Sequence, residues 1–284
     1  MSLRLTDGGA GSPTDAAADG AARVRAAFAA AADAQRAAFV AYIMAGFPSD
    51  DAAVDAASAA LSCGADLLEV GVPFSDPLAD GPVIADAGRV AVAAGGGFDS
   101  ALRMIASLRS RGHVQPIMVM SYLNPLLAAG GDEALRRLVA AGGDGIIFPD
   151  LPAGEMPAFE RAATDLGLAT TFLVAPNTSD ARLEGAIRAS TGFLYVVPLF
   201  GVTGARENVA AGATALLARV RAAAAGRLPV AAGFGISNAE QAAALSAEAD
   251  GIAVGSALVR ALRDHGPGAV GDLVAQLAGA CSRA

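Results

Sequence analysis

Short apolar runs alternate with helical stretches along most of the chain, and this rhythm constrains the fold more than any other feature. Such near-continuous apolar strands are typical of a parallel sheet that is covered on both faces. Eight strand–helix units in succession predict an α/β fold, a closed (β/α)8 TIM barrel. An open doubly wound sheet is the alternative, although no GxGxxG follows the first strand. The predicted strands are Phe39 to Ala45, Leu67 to Val72, Pro116 to Ser121, Gly145 to Phe148, Ala169 to Val174, Phe193 to Val197, Pro229 to Ala232 and Gly251 to Val254.

Three internally similar segments support a repeated architecture. Segments 64–71, 142–150 and 249–256 each contain a helix stop, an Asp, a strand and a polar or glycine exit. Residues 1–20 are rich in Gly, Ala, Asp and Ser, which predicts a disordered N-terminal segment. An extra N-terminal helix is then expected as far as Gln35, and residues 21–284 should form a single barrel domain.

Charge composition restricts the chemistry that this chain can perform. The net charge of -8 argues against a nucleic-acid or anionic-membrane surface. All 20 basic residues are arginines, so a lysine Schiff base, a pyridoxal-phosphate anchor and a P-loop lysine are excluded. His113 and His265 lie far apart in loop-like contexts, which disfavours a metal site or a histidine triad. Carboxylates and tyrosines remain as candidate catalytic groups.

Cysteine content and hydropathy indicate where the chain works. Cys63 and Cys281 are too few for a disulfide framework, which favours a reduced, cytoplasmic setting. No apolar stretch reaches the ~20 residues of a membrane span, and the N-terminus lacks the pattern of a signal peptide.

Glu69 is an acid inside a predicted strand that otherwise reads as buried. Burial in apolar surroundings would raise its pKa and let it shuttle a proton at neutral pH, although an interior acid satisfied by backbone or arginine is the alternative. Asp80 follows in a proline-bounded loop and could act in the site or cap the next helix. Asp150 could form a turn, and Tyr195 could belong to the core.

Glycine-rich turns follow the last three predicted strands. They comprise segments 201–204, 233–237 and 255–256, and the last two lead into helices. Backbone amides at a helix start bind anions, and the loops after strands 7 and 8 of barrels often hold phosphate. The three turns together predict a phosphate site that needs no lysine.

The segment from Glu69 to Pro82, Glu-Val-Gly-Val-Pro-Phe-Ser-Asp-Pro-Leu-Ala-Asp-Gly-Pro, resembles the tryptophan synthase α subunit family, as do Gly201-Val202-Thr203-Gly204 and Gly233-Phe234-Gly235-Ile236-Ser237. The likeness covers nearly the whole chain from about residue 22. The resemblance implies a (β/α)8 barrel that cleaves indole-3-glycerol phosphate to indole and glyceraldehyde 3-phosphate by a reversible retro-aldol reaction.

The resemblance also implies roles for individual residues. Glu69 would be the general acid/base, Asp80 would accept a hydrogen bond from the indole nitrogen, and Tyr195 would lie beside the glutamate. The implied indole-pocket residues are Tyr42, Met120 and Phe234. The implied phosphate cradle comprises Gly204, Gly233, Gly235, Gly255 and Ser256.

The resemblance further implies a partner. The chain would be the α half of an α2β2 heterotetramer, with pyridoxal phosphate only in the β subunit and with no cofactor or metal of its own. Pro198-Leu199-Phe200 departs from the smaller or more polar residues expected in a loop that touches the β subunit. A stand-alone lyase that releases free indole is therefore one alternative, and a weakly catalytic barrel that regulates a β subunit is another.

Overall fold

A computed structural model describes residues 19–197, 206–233 and 235–282, with the side chains of 206–211 excepted. Pro198-Leu199-Phe200, Gly204 and Phe234 lie outside these residues. The predicted disordered segment lies outside them as far as residue 18, and Gly20 already begins the first helix.

Eight parallel strands close into a barrel in chain order. Each strand pairs with the next, and the last pairs with the first, with Ala38 opposite Gly251. This closure confirms the predicted (β/α)8 barrel and excludes the open sheet. The strands are β1 (Ala38–Met44), β2 (Leu67–Gly71), β3 (Ile117–Met120), β4 (Gly145–Phe148), β5 (Ala169–Val174), β6 (Leu194–Val196), β7 (Val230–Ala232) and β8 (Gly251–Val254).

Twelve helices within the described residues precede and surround the barrel. They are α1 (Gly20–Asp33), α2 (Asp50–Ser62), α3 (Pro82–Ala93), α4 (Phe98–Ser110), α5 (Leu123–Ala128), α6 (Asp132–Ala141), α7 (Pro157–Asp165), α8 (Asp180–Ala189), α9 (Arg206–Ala224), α10 (Ala239–Ser246), α11 (Ser256–His265) and α12 (Pro267–Gly279). Helix α5 was not predicted from the sequence, because six residues are too few to show a helical repeat. Pro125 also suggested a helix breaker, but proline is tolerated in the first turn of a helix.

Helix α1, the expected extra N-terminal helix, closes the N-terminal end of the barrel. Its Phe28 ring lies 5.3 Å from the ring of Phe193. A side chain at Gly251 would approach Phe28 to 2.7 Å, so the glycine makes room for the ring. Because α1 fills this end in the described part of the chain, the opposite end, where the strands finish, is the one left for a ligand.

Four side chains at the N-terminal end join neighbouring strands in the same way. Asp144 precedes β4; its carboxylate accepts the backbone N–H of Ile117 at 2.7 Å, while its own N–H donates to the Ile117 carbonyl at 2.8 Å. Three further residues make the same two-way contact with the strand before them: Asp66 with Phe39, Thr191 with Thr170, and Asp250 with Val230. The repeated Asp of the sequence therefore completes the hydrogen bonding between strands at the face opposite the site.

Arginines neutralise the aspartates of this ladder. Asp144 is 3 % exposed and pairs with Arg109 at 2.6 Å and with Arg23 at 3.2 Å. Asp66 pairs with Arg36 at 2.5 Å. These ion pairs allow carboxylates to be buried beneath the barrel.

Within the residues that the structure covers, no helix is long and apolar enough to cross a membrane. The same residues contain no group of three or more His, Cys, Asp and Glu side chains arranged to hold a metal ion.

Candidate active site

Glu69 lies in β2 and faces the interior of the barrel. Leu67, two residues earlier, belongs to the cluster of side chains inside the barrel, and side chains two residues apart on a strand share a face. The register places Glu69 opposite Tyr42 of β1 and Met118 of β3. The carboxyl group therefore projects into the barrel near its C-terminal mouth, the end at which all eight strands finish.

The Glu69 carboxyl is fully buried, with 0 % exposure. Among the described residues, neither of its oxygens has a hydrogen-bond partner of normal geometry. Burial raises its pKa to about 8, and the nearby Tyr195 hydroxyl opposes this rise only in part. The group is consequently protonated at neutral pH and close to the point at which it can both give and take a proton. The described residues therefore do not support the structural alternative, in which backbone groups or an arginine would bind the Glu69 carboxylate.

Tyr195 of β6 approaches Glu69 across the barrel. The Tyr195 side chain is buried, and burial raises the pKa of its hydroxyl well above the usual value. A side chain at Gly233 would lie 2.6 Å from Tyr195 Cε1, so this glycine makes room for the tyrosine ring. The structure therefore brings the predicted Tyr195 to the predicted Glu69, and it gives Gly233 a packing role besides any contact with a ligand.

Tyr42 reaches the mouth from β1. Its hydroxyl donates to the Met44 sulfur at 3.8 Å, and a side chain at Gly71 would overlap that hydroxyl. Burial raises the Tyr42 pKa, and the carboxyls of Asp80 and Glu69 raise it further. Tyr42 thus lies close to both acids. Met120, half-buried at the end of β3, reaches the same mouth.

Asp80 lies half-buried in the loop between β2 and α3. Gly81 is the N-cap of α3 and Pro82 its first residue, so Asp80 does not cap the helix. Burial raises the pKa of Asp80 to about 6, and a hydrogen bond from Tyr122 works against this rise. Asp80 is therefore mostly ionised at neutral pH, whereas Glu69 is mostly protonated.

Tyr122 is a residue that sequence reasoning did not select. It follows β3, and its hydroxyl accepts the N–H of Ala79 at 2.9 Å. A signal was available: the chain has three tyrosines, and Tyr42, Tyr122 and Tyr195 each lie in a strand or within two residues of its end. All three converge on the mouth.

Asp150 has a structural role. Its Oδ1 accepts the N–H of Leu123 at 3.0 Å, at the first residue of α5. This contact satisfies a helix-start amide 27 residues earlier in the chain, a structural role different from the predicted local turn.

The predicted phosphate-binding residues that the structure describes lie at the ends of β7 and β8. Gly233 and Gly235 follow β7, and Gly235 has φ +63°, a conformation that side chains other than glycine rarely adopt. Gly255 caps α11 and Ser256 is its first residue. A side chain at Gly255 would meet Ile84 Cδ1 at 3.3 Å and Tyr42 Cβ at 3.4 Å, so the mouth and the turn are packed together. The first turn of α11 presents backbone amides that have no carbonyl of their own helix to bind.

Comparisons with known proteins give the family of this chain. The tryptophan synthase alpha chain family matches residues 28–279. The tryptophan synthase alpha chain of Carboxydothermus hydrogenoformans is 45% identical over 228 residues, which are 80% of this chain and 84% of the relative. That of Deinococcus radiodurans is 40% identical over 274 residues, 95% of this chain and 98% of the relative.

A solved structure agrees with the sequence relatives. A chain of Mycobacterium tuberculosis tryptophan synthase superposes with a TM-score of 0.84 at 38% identity, covering 92% of this chain and 99% of that one. Since sequence and fold match over most of its length, the chain belongs to the tryptophan synthase alpha chain family.

Proposed function

We propose that Glu69 and Asp80 carry out the retro-aldol cleavage of indole-3-glycerol phosphate to indole and glyceraldehyde 3-phosphate, the lyase reaction of this family in tryptophan biosynthesis. The observation that supports these roles most directly is the Glu69 carboxyl, which is buried, has no hydrogen-bond partner of normal geometry among the described residues, and has its pKa raised to about 8. A carboxyl that stays protonated at neutral pH can act first as an acid and then as a base.

Glu69 would serve both proton transfers. The protonated carboxyl gives its proton to the indole carbon that bears the glycerol chain, and the ring becomes a positively charged electron sink. The resulting carboxylate takes the proton of the adjacent glycerol hydroxyl. The carbon–carbon bond then breaks, its electron pair returns to the ring, and the hydroxyl carbon becomes the aldehyde. The net proton count on Glu69 is unchanged, and the protonated ring supplies the electron sink.

Asp80 would stabilise the charge that develops on the ring. Its carboxylate accepts a hydrogen bond from the indole N–H, and this interaction strengthens as the ring becomes positive. Tyr195 would hold Glu69 in place from β6. Tyr42, Met120 and Phe234 would line the indole pocket.

Phosphate would bind at the ends of the last strands. The cradle would comprise Gly204, Gly233, Gly235, Gly255 and Ser256, with the first amides of α11 directed at the anion. Binding energy at this distance from the reacting carbon can hold the substrate in position for bond cleavage.

Replacing Ser256 by alanine should weaken substrate binding while leaving the chemical step intact. One lost hydrogen bond to phosphate corresponds to about a tenfold rise in KM, with kcat within about twofold. Steady-state kinetics with indole-3-glycerol phosphate measure both quantities. Ser110→Ala, which removes a hydroxyl from an exposed serine that binds the Ser107 carbonyl, should change neither. A fall in kcat with unchanged KM in Ser256→Ala would count against the phosphate assignment.

The pH profile of kcat/KM should be bell-shaped. Asp80 must be ionised, so activity falls as the pH drops through about 6. Glu69 must start protonated, so activity falls again as the pH rises through about 8. Rates measured between pH 5 and pH 9.5 give both limbs. Asp80→Asn should lose the acid limb of its residual activity, and a profile that is flat across this range would contradict both assignments.

We further propose that the chain acts with a tryptophan synthase β subunit in an α2β2 assembly, with pyridoxal phosphate bound by that partner. The cytoplasm is the proposed location, and the free thiols of Cys63 and Cys281 fit a reducing compartment.

Indole release tests these proposals. The purified chain mixed with indole-3-glycerol phosphate should release indole slowly alone and faster with an added β subunit. Rapid release without acceleration, together with separate elution of the two chains in gel filtration, would favour a stand-alone lyase. Activation of the β subunit with negligible indole release would favour a regulatory barrel.

A further inference from the structure

Tyr122 connects the Asp80 loop to the rigid end of β3. We infer that Tyr122 is a positioning residue, whose hydroxyl holds the loop over the mouth and so places Asp80 there. This inference rests on the proposed role of Asp80 and adds a device that places it.

The anchor lies directly beside the acid. The Tyr122 hydroxyl accepts the N–H of Ala79 at 2.9 Å, one residue before Asp80. The loop also folds on itself, since Leu78 N–H donates to the Asp76 carbonyl at 3.0 Å and Asp80 N–H donates to the Pro77 carbonyl at 3.2 Å. Those contacts fix the shape of the loop, but they do not attach it to the barrel. Among the described residues, Tyr122 is the side chain whose hydrogen bond attaches the loop tip to the barrel.

The loop needs such an anchor because apolar burial does little to hold it. Leu78 at its tip is 94 % exposed, and Ser75 and Asp76 are exposed as well. A loop with few buried apolar contacts opens readily. Tyr122 itself is only 5 % exposed, and its ring lies 5.3 Å from that of Phe74. The hydroxyl is therefore presented by a side chain that is fixed by packing.

A phenol suits this position because it can accept and donate simultaneously. A lone pair of the oxygen is occupied by the Ala79 N–H, and the hydroxyl proton is left for a neighbouring acceptor. We assign that proton to the Asp80 carboxylate, and the Tyr122 hydroxyl works against the rise in the pKa of Asp80 that burial causes. One side chain thus orders the backbone of the loop and favours the charged form of the acid that the loop carries.

Tyr122→Phe removes the hydroxyl and preserves the ring. The expected result is a fall in kcat of about tenfold, the effect of about one hydrogen bond, with little change in KM because the phosphate contacts remain. The titration of the Asp80 carboxyl, followed by carbon-13 NMR in the ligand-free chain, should move to higher pH. The acid limb of kcat/KM should move with it.

Phe74→Leu is the matched control. It replaces the ring by a smaller apolar side chain that can still pack against Tyr122 and keeps the hydroxyl, so it should leave the Asp80 titration in place even if kcat falls. In the unmutated chain, the Ala79 amide should exchange its hydrogen more slowly than the amide of Ser75, and Tyr122→Phe should remove this protection.

The outcomes distinguish failure of the positioning role of Tyr122 from failure of the proposed function of Asp80. Tyr122→Phe with an unchanged Asp80 titration, or with unchanged kcat, overturns the positioning role, as does an unprotected Ala79 amide in the unmutated chain. NMR titration and hydrogen exchange require no turnover. Absence of indole release from the unmutated chain would instead overturn the proposed function of Asp80, whatever the titration shows.

Discussion

Glu69→Gln should reduce indole release by about 10³-fold or more, because an amide of the same shape can neither give a proton to the indole carbon nor take one from the hydroxyl. General acid and base catalysis each contribute about 10²–10⁴-fold, and Glu69 is assigned both steps. The measurement is kcat for indole release at pH 7, with enzyme concentration fixed by active folded protein. Full activity in the glutamine variant would remove Glu69 from the mechanism.

The same substitution should not destabilise the barrel. The Glu69 pKa is about 8 in the folded chain against an ordinary 4.5, so the folded state holds a proton between these values that the unfolded state has released. Stability from this group therefore falls as the pH rises from about 4.5 to about 8 and is constant above. The fall is on the order of 4–5 kcal/mol at 1.36 kcal/mol per pKa unit. Glutamine does not titrate, so the variant should not show this fall. Its free energy of unfolding, measured with urea, should therefore increase relative to that of the unmutated chain as the pH approaches 8.

Glu160 offers a matched control for this stability argument. It is also buried, but its carboxylate accepts the N–H of Gly154 at 2.8 Å and of Met156 at 3.3 Å. Glu160→Gln should therefore lose about 1 kcal/mol of stability and keep its activity, the opposite of the result for Glu69→Gln. The contrast distinguishes Glu160, whose carboxylate stabilises the fold, from Glu69, whose burial costs stability.

Local patterns predicted the barrel because each strand is short, apolar and bounded by turn residues. Three of the eight predicted strands have the observed bounds, and the other five differ by one residue at one or both ends. Helix α5 escaped because its formation depends on Asp150 from the next strand unit, which binds the Leu123 amide. A contact across 27 residues leaves no periodic trace in the segment itself.

The site was predictable where the residue type was anomalous. Glu69 stood out because a carboxylate in an apolar strand needs a reason, and burial without a partner is what the structure describes. Tyr122 did not stand out, because a tyrosine after a strand is ordinary and its contact with Ala79 spans the chain from residue 79 to residue 122. For Gly233, the sequence predicted only a role in phosphate binding. Only the approach of Tyr195 from β6 shows that the glycine also makes room for a ring.

The repeated Asp of the sequence was read as evidence of repetition, and the structure shows what is repeated. Asp66, Asp144 and Asp250 each precede an even-numbered strand and each bind the start of the odd-numbered strand before it. Thr191 makes the same contact between β5 and β6. Because this residue is a threonine and not an aspartate, the sequence did not show it as a fourth member of the repeat. Since these residues lie at the N-terminal end of the barrel, we assign the pattern to stability, whereas the acids and glycines at the other end are those proposed to act on the substrate.

Asp144→Ala should therefore destabilise the chain by about 3 kcal/mol without changing the chemistry. The substitution leaves Arg109, 20% exposed, without its partner at 2.6 Å, and it leaves the Ile117 amide without an acceptor at 2.7 Å. Burial raises the pKa of Asp144 and lowers that of Arg109, which shows that the pair is costly to bury. Breaking such a pair is nevertheless strongly destabilising, because a desolvated charge remains.

The check for Asp144→Ala is thermal unfolding and kcat on the same samples. A loss of about 3 kcal/mol corresponds to a Tm lower by roughly 6–12 °C for a chain of this size. Asp144→Asn should lose less, because its amide oxygen can still accept the Ile117 N–H. Glu133→Ala, which breaks a pair with Arg136 that is 56% exposed on both sides, should change stability by less than about 1 kcal/mol. At temperatures where each variant is folded, kcat should equal that of the unmutated chain. An equal Tm for Asp144→Ala and Glu133→Ala would show that the N-terminal ladder does not stabilise the barrel.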